Sequence, residues 1–587
     1  MPNNNLPEWD LTDIYPAPDS AEIESDFQRA VKLSKDFAKR YQGNLADING
    51  KELGQAIGDF EVITEILHKV MSYAQLLYSA NVSDGECGRF YQTTQERITD
   101  ISGETLFFQL ELNRLDDDVL NKQLESKDAT HYAPWIRNVR AFRDYQLSDE
   151  LEKLLHEKSV SGRSAWIRLF DETEASLTFL LDGKELGISD ILNQLSDTDK
   201  KQRKKAAKVL GEVLSKNIKL FSLITNTMAK DKATEDAWRS YSRPISERNL
   251  SNQVEDNVVD ALVSSVKNAY PDLSHRYYRL KSQWFGVEAL DYWDRNAPLP
   301  NDNDHNYSWD EARKTVLNAY GGFDSKMAEV AEQFFENNWI DARLRKGKSS
   351  GAFSHSTVPS VHPYILMNYQ GKARDVMTLA HELGHGIHQV MSAPQGTLMS
   401  DTPLTTAETA SVFGEMLTFR SLLDGEDNAV RRRILLAGKV EDMLNTVVRQ
   451  IAFHTFETSV HDERSSGELS SERLCDIWME VQRESLGDSV RFDDDYRSYW
   501  AYISHFIHMP FYVYAYAFGD CLVNSLYDVF QGGHKGFQQK YKDMLRSGGT
   551  RRHNELLAPF GLDASDPEFW DRGLGLVSSF VDELEQF

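Results

Sequence analysis

Apolar residues recur at helical intervals along most of the chain. From about Ser20 to Tyr41 they stand three or four positions apart, as in an amphipathic helix. The same pattern predicts helices over roughly Ser72 to Leu112 and from near Ser196, where a run of capping and acidic residues suits a helix N-terminus. Helical character returns at Ala373 and continues with interruptions to the end of the chain.

Three segments break this pattern. Residues 176–195 contain a short apolar run, an Asp-Gly turn and a helix start, which predicts a small hairpin. Residues 297–311 are rich in Pro, Asn and Asp and predict a loop. Residues 336–371 contain several glycines and prolines and a short β-like run from Tyr364 to Tyr369. The sequence therefore predicts a mainly α fold with a small β element beside the helix that starts at Ala373.

Length and composition limit the possible classes of protein. A chain of 587 residues exceeds the usual size of one core. We therefore expect an N-terminal helical region over 1–110, a mixed helical and β subdomain over 111–195, and a catalytic domain over 196–587. A net charge of −26 argues against a nucleic-acid partner. The three cysteines form no recognisable disulfide or zinc-binding framework.

No secretory signal and no apolar run of 18 residues is visible. We therefore expect a cytoplasmic protein without a membrane partner, and the oligomeric state stays open.

One short motif carries the chemistry. His381, Glu382 and His385 form an H-E-x-x-H pattern within an apolar helical segment, residues 373–391. Two histidines four positions apart project from one helical face and can bind one zinc ion. Glu382 would then contact the attacking water rather than the metal. Because a five-residue motif can arise by chance, the assignment of a zinc site also requires a third protein ligand elsewhere in the chain.

The third ligand has to come from a later helix. Position 391 holds Met and position 388 holds His, which excludes the extended motif with a third histidine. Glu408 is the candidate carboxylate, although Thr405 and Glu408 also fit a capping box bonded to backbone. Glu415, two turns further, is expected to orient a ligand histidine. His388 either does the same or is an ordinary packed histidine.

These residues resemble the active site of the oligoendopeptidase F family, in the M3 group of metallopeptidases that also contains thimet oligopeptidase-like enzymes. The resemblance rests on the run H-E-L-G-H-G-I-H-Q at 381–389 and on E-T-A-S-V-F-G-E at 408–415. Further similar segments are Asp291–Pro298, Trp339–Asp341, Gly347–Ser354 and His362–Tyr369. The resemblance implies Glu408 as the third zinc ligand. It also implies a two-lobed helical fold whose deep channel admits only short or unfolded peptides.

The segment Ser504–Gly519 is also similar to the family. There the resemblance implies that a histidine and tyrosines face the substrate carbonyl, where an O–H or N–H donor stabilises the oxyanion. Its spacing departs from the thimet type and leaves the choice of tyrosine open. Tyr512 is favoured, then Tyr516, with His505 as the partner.

The function predicted is that of an oligoendopeptidase with one Zn²⁺ ion held by His381, His385 and Glu408. Glu382 acts as general base on internal bonds of oligopeptides. The Tyr364–Tyr369 strand is expected to lie along the substrate backbone at a sheet edge. The alternatives are a zinc carboxypeptidase with one end of the channel blocked, and a non-catalytic helical scaffold with a structural metal.

Overall fold

The computed structural model describes residues 6–159, 161–300 and 306–587. It is mainly α-helical, which confirms the predicted fold class. The chain divides into two compact units, each built from three separate stretches of sequence. Unit 1 comprises the N-terminal stretch up to residue 144, residues 304–425 and residues 533–561. Unit 2 comprises residues 145–303, 426–532 and 562–587. The contiguous segments 1–110, 111–195 and 196–587 stay a prediction.

The helices of the described residues are α1 (Ala21–Tyr41), α2 (Gly50–Ala80), α3 (Gly85–Gly103), α4 (Leu106–Arg114), α5 (Asp117–Gln123), α6 (Lys127–Thr130), α7 (Ala133–Arg140), α8 (Asp149–Ser159), α9 (Arg163–Ser176), α10 (Ile188–Asn193), α11 (Lys200–Arg239), α12 (Ser246–Ser251), α13 (Asp256–Ala269), α14 (Arg276–Trp284), α15 (Trp309–Phe323), α16 (Ser325–Glu336), α17 (Ala373–Ser392), α18 (Leu404–Ala407), α19 (Thr409–Asp424), α20 (Ala429–Thr446), α21 (Val448–Arg464), α22 (Ser471–Leu486), α23 (His505–His508), α24 (Tyr514–Gln531), α25 (Phe537–Arg546), α26 (His553–Leu557) and α27 (Pro567–Leu584). The strands are β1 (Phe179–Leu181), β2 (Lys184–Leu186), β3 (Leu290–Asp291), β4 (Ile340–Asp341), β5 (Phe353–His355), β6 (Tyr364–Leu366) and β7 (Val490–Arg491). Short 3₁₀ segments include Tyr292–Asp294 and Asp494–Tyr502.

The N-terminal helices of unit 1 share an aromatic core. The Phe108 ring lies 5.0 Å from Phe37, 5.3 Å from Phe60 and 6.3 Å from Trp135, measured between centroids. These rings come from α1, α2, α4 and α7, so each helix buries its apolar face against the same cluster. The start of α1 at Ala21 agrees with the helix predicted from about Ser20.

The single helix predicted over Ser72–Leu112 is wrong. The chain forms α2, α3 and α4 there, with breaks at residues 81–84 and 104–105. The Asp84 carboxylate accepts hydrogen bonds from the backbone N–H groups of Glu86 and Cys87, which starts a new helix. A short polar side chain thus offers the backbone a local bond that competes with helix continuation.

The hairpin predicted in residues 176–195 is present in unit 2. Strands β1 and β2 pair antiparallel across Asp182 and Gly183, which have φ of 50° and 80°. Glycine carries the larger positive φ without strain. The next long helix, α11, begins at Lys200 rather than near Ser196, because the Asp199 side chain caps its first turn. Four residues separate the predicted start from the observed one.

A three-stranded sheet in unit 1 has the order β4–β6–β5. Strand β6 pairs parallel with β4 and antiparallel with β5, so hydrogen bonds occupy both of its sides. The prediction that the Tyr364–Tyr369 strand offers a sheet edge to a substrate is therefore wrong. Strand β5 is an outer strand, and its Ser354 hydroxyl bonds Gln389 of α17 at 2.9 Å. This contact confirms the small β element beside the motif helix.

Among the described residues, none of the helices combines the length and the apolar character that crossing a membrane requires.

Candidate metal centre

The motif segment folds as α17, as predicted. Its apolar residues, among them Val376, Leu379 and Leu383, are fully buried in unit 1. His381 and His385 lie one turn apart on the same face, with ring centroids 5.0 Å apart. Their side chains keep 26% and 21% of their area exposed, so a small ligand can reach both rings.

Glu408 lies at the break between α18 and α19 and completes a cluster with the two histidines. Its Oε2 atom is 3.4 Å from His381 Nε2 and 3.5 Å from His385 Nε2. One ligand atom from each of the three residues lies within 4.8 Å of the others. The capping-box alternative is wrong, because α18 begins after Pro403 without a side-chain cap. The Glu408 carboxylate instead accepts a hydrogen bond of 2.6 Å from the Ser411 hydroxyl.

Glu415 makes the contact predicted for it. Its Oε2 atom lies 3.2 Å from His381 Nδ1, which leaves Nε2 of that ring directed at Glu408. A carboxylate on the outer nitrogen fixes the ring orientation and makes the inner nitrogen a better donor. His388 is buried, and its Nε2 atom has no hydrogen-bond partner in the part of the chain that the structure describes.

Negative charge outweighs positive charge in this cluster. Burial opposes the charge on His381, but the Glu415 hydrogen bond and the Glu408 and Glu382 carboxylates raise its pKa to about 10. Burial lowers the pKa of His385 to about 4 despite the nearby Glu408. The carboxylates thus favour a positive charge at His381, whereas burial favours the neutral form of His385. A cluster that attracts a proton in this way is suited to a cation of higher charge.

Glu382 occupies a different environment on the same helix. It is only 6% exposed, and burial raises the pKa of its carboxyl to about 7, although the charge of His381 opposes this rise. The Ser354 backbone of β5 lies close enough to this carboxylate to lower its pKa. Glu382 therefore lies near β5 and is not a member of the ligand cluster.

Gly384, to which the sequence pattern assigned no role, permits this geometry. A Cβ atom at Gly384 would lie 2.4 Å from the Ala410 carbonyl oxygen and 2.5 Å from Ser411 Cα. Only glycine lets α17 and α19 approach so closely, and this approach brings His385 next to Glu408. A glycine inside an otherwise strong helical pattern is the signal that could have identified it.

A second close approach ties α15 to the motif helix. The Tyr320 hydroxyl donates a hydrogen bond of 2.8 Å to the Ala380 carbonyl. A Cβ at Gly414 would overlap this hydroxyl, so glycine is required there as well. The backbone next to His381 is therefore held from two sides.

The C-terminal candidates form a cluster of their own in unit 2. His505 Nε2 lies 3.4 Å from the Tyr516 hydroxyl, and the Tyr512 and Tyr516 ring centroids are 5.1 Å apart. Burial lowers the pKa of His505. The structure brings these three residues together, as it brings together His381, His385, Glu408 and Glu382 in unit 1. Their predicted roles in catalysis stay predictions.

The donor set fits zinc. Two imidazole nitrogens and one carboxylate oxygen converge on one point, and further protein groups orient the ligands from behind. Catalytic zinc takes three protein ligands of these types and keeps one position open. The residues present therefore fit the metal that the sequence predicted.

Comparison with known proteins identifies the family. The model described as peptidase family M3 matches residues 193–576, and the model described as oligopeptidase F matches residues 111–179. Because the first match covers more than half of the chain, the chain belongs to peptidase family M3. It is a metalloendopeptidase, as the sequence predicted.

Relatives of known name extend over nearly the whole chain. Oligopeptidase PepF of Bacillus subtilis is 27% identical over 98% of this chain and 87% of its own length. The oligoendopeptidase F homolog of Lactococcus lactis is 25% identical over 98% of this chain and 96% of its own length. These relatives confirm the resemblance to oligoendopeptidase F.

Solved structures share the fold. Oligoendopeptidase F from Enterococcus faecium superimposes with a TM-score of 0.74 at 20% identity, over 96% of this chain and 98% of its own. A peptidase from Chlamydophila abortus gives a TM-score of 0.85 at 22% identity, over 98% of both chains.

Proposed function

We propose that the protein is a zinc-dependent oligoendopeptidase that hydrolyses internal bonds of short or unfolded peptides. The observation that carries this proposal is the convergence of His381, His385 and Glu408 within 4.8 Å, with Glu382 on the same helix. Relatives named oligopeptidase and oligoendopeptidase support the size class of the substrate.

His381, His385 and Glu408 are the residues that would hold the ion. When bound, Zn²⁺ supplies Lewis acidity, which makes water a stronger nucleophile at neutral pH and polarises the scissile carbonyl. Glu415 keeps the His381 ring oriented through Nδ1, and Ser411 keeps the Glu408 carboxylate in place.

Glu382 accepts the proton of the water that attacks the scissile carbonyl and delivers it to the leaving amine. Its carboxylate is neither a member of the ligand cluster nor exposed to bulk solvent. The substrate backbone lies along β5 rather than β6, because β5 is an outer strand and its Ser354 adjoins Glu382.

The C-terminal cluster stabilises the oxyanion. Attack on the amide leaves negative charge on the carbonyl oxygen, and a fixed O–H or N–H donor there is worth about 10²–10³ in kcat. Tyr512 is the favoured donor and Tyr516 the second, with His505 hydrogen-bonded to Tyr516.

Glu382→Gln tests the central step. This variant keeps the size of the side chain and removes the base, so zinc content stays at the wild-type value while kcat falls by about 10²–10⁴. The substrate is an internally quenched peptide blocked at both termini, since its cleavage demands an endopeptidase. Wild-type turnover in Glu382→Gln, or wild-type activity that survives removal of the metal by chelation, would contradict the mechanism.

Single tyrosine variants test the oxyanion donor. Tyr512→Phe and Tyr516→Phe each remove one hydroxyl, and the variant that loses the donor should show a lower kcat with little change in KM. Equal and small effects in both variants would exclude the cluster from catalysis. Metal content and the melting temperature serve as controls for the fold.

A further inference from the structure

Arg449 of unit 2 carries a charge that the surrounding protein does not neutralise. It lies in the first turn of α21, is half-buried, and its guanidinium stands 5.0 Å from the centroid of the Phe453 ring. Within the described residues it makes neither an ion pair nor a hydrogen bond. Burial lowers the pKa of this guanidinium, and the charge of Arg295 lowers it further.

Arg295, which follows the 3₁₀ segment Tyr292–Asp294, is the second arginine of this group. It is also half-buried, and no carboxylate of the described residues lies within ion-pair distance. Glu441 is a carboxylate close enough to act on Arg295, but Lys281 Nζ already binds it at 2.5 Å. Three tyrosines lie near enough to act on the pKa of both guanidinium groups: Tyr278, Tyr496 and Tyr502.

This arrangement is costly for an isolated protein. Two like charges are held close together and partly out of water, and the usual compensation is a carboxylate. Elsewhere in unit 2 the buried Arg203 has that compensation, because Asp294 lies 2.7 Å from its guanidinium. The whole chain carries a net charge of −26, so carboxylates are not scarce. The carboxylate of a ligand would supply this missing negative charge.

The position of Arg449 connects it with the proposed oxyanion cluster. The Phe453 ring under its guanidinium packs against Phe506 at 5.6 Å between centroids, and Phe506 adjoins His505. The charge of Arg449 also acts on His505 and lowers its pKa, after burial and the charge of His508. A ligand held by Arg449 would consequently lie beside groups that we propose to contact the substrate.

We propose that Arg449, assisted by Arg295, binds a carboxylate of the peptide substrate. This inference rests on the proposed peptidase function and adds a recognition element to it. A guanidinium binds a carboxylate through two parallel hydrogen bonds, and the tyrosine hydroxyls can donate further ones. Peptides offer two sources of this group, the free C-terminus and an acidic side chain.

Three quenched peptides of one core sequence separate these sources: one with a free C-terminus, one with a C-terminal amide, and one amidated with Glu as its last residue. Each is assayed with the wild type and with Arg449→Gln. The wild type should cleave a carboxylate-bearing peptide with a kcat/KM roughly 10- to 100-fold above that of the plain amide, mainly through KM. Comparison of the peptide with a free C-terminus and the amidated Glu peptide then shows which carboxylate is bound. Arg449→Gln should lose this preference and cleave the three peptides with similar kcat/KM.

Two further variants exclude a merely structural effect. Arg433→Gln changes another half-buried arginine of unit 2, whose guanidinium stands 5.6 Å from the Trp284 ring centroid, and it should keep the preference. Arg449→Lys retains the positive charge and should keep part of the preference for carboxylate-bearing peptides. If Arg449→Gln does not fold, Arg449→Lys is compared with the wild type in its place.

Three outcomes are decisive. Equal cleavage of all three peptides by the wild type would overturn the inference but leave the peptidase function intact. If Arg449→Gln keeps the full preference for carboxylate-bearing peptides, the assignment to Arg449 is overturned. It is also overturned if Arg449→Lys keeps the full wild-type preference while Arg433→Gln loses it. A wild type that cleaves none of the peptides would overturn the proposed function, and this inference with it.

Discussion

Replacing Gly384 by alanine tests whether helix contact creates the metal centre. The new Cβ would stand 2.4 Å from the Ala410 carbonyl oxygen and 2.5 Å from Ser411 Cα. Ordinary contacts of such atoms are about 3.5 Å long, so the backbones of α17 and α19 must separate by about 1 Å. Both atoms belong to backbone, and no side chain can rotate to relieve the overlap. Glu408, which adjoins this stretch of α19, would move away from His385.

The size of the effect follows from metal geometry. Zinc ligands lie about 2.0–2.2 Å from the ion, and a site tolerates deviations of about 0.2 Å. A displacement of about 1 Å exceeds this tolerance, so zinc affinity should fall by at least about 100-fold. Overpacking costs about 1–3 kcal/mol, whereas the higher helix propensity of alanine returns about 1 kcal/mol. Gly384→Ala should therefore lose metal affinity more clearly than stability.

The assay is a competition between the protein and a chromogenic chelator for zinc, followed by measurement of kcat/KM at saturating zinc. Gly438→Ala is the matched control, because Gly438 is an exposed glycine of α20 and a Cβ atom added there would stand in open space. This control should gain about 1 kcal/mol in stability and keep the wild-type zinc affinity. Wild-type zinc affinity in Gly384→Ala would refute the argument that close packing positions Glu408.

Two further predictions concern buried carboxylates. Glu415→Ala removes the partner of His381 Nδ1, and zinc affinity should fall about 10- to 100-fold, with Glu415→Gln in between because an acceptor oxygen remains. Glu457 of α21 accepts the Phe511 N–H at 2.9 Å, and burial raises the pKa of its carboxyl from 4.5 to about 8. The folded state thus holds this proton more tightly than the unfolded state. The stabilisation that Glu457 provides is full below pH 4.5 and is lost as pH rises to about 8. Glu457→Gln has no such proton, so its free energy of unfolding should exceed that of the wild type more at pH 8.5 than at pH 5.

Denaturant unfolding at the two pH values measures the second effect, and zinc competition measures the first. Identical pH dependence of stability in wild type and Glu457→Gln would show that the carboxyl is ionised in the folded protein. If Glu415→Ala binds zinc as tightly as the wild type, the carboxylate does not orient His381 for binding.

Sequence alone was sufficient for the motif helix and for the placement of His381 and His385 on one of its faces. His381 and His385 face the same way because residues four apart in any α-helix do so, whatever surrounds the helix. The hairpin at Asp182 and Gly183 was also predictable, since a short turn is encoded by adjacent residues. Helix ends were less accurate, because local side-chain bonds such as that of Asp84 compete with helix propagation.

Tertiary structure decided what depends on residues far apart in sequence. The apolar pattern of residues 364–369 cannot show that β6 is the central strand of its sheet. Strand order depends on which segments pair, and both partners of β6 lie elsewhere in the sequence. Whether Glu408 caps a helix or lies beside the two histidines likewise depended on the approach of two helices at Gly384. The unpaired charge of Arg449 belongs to the same class of feature. Helical periodicity is a local property of the backbone, whereas neutralisation of a charge depends on every segment packed around it.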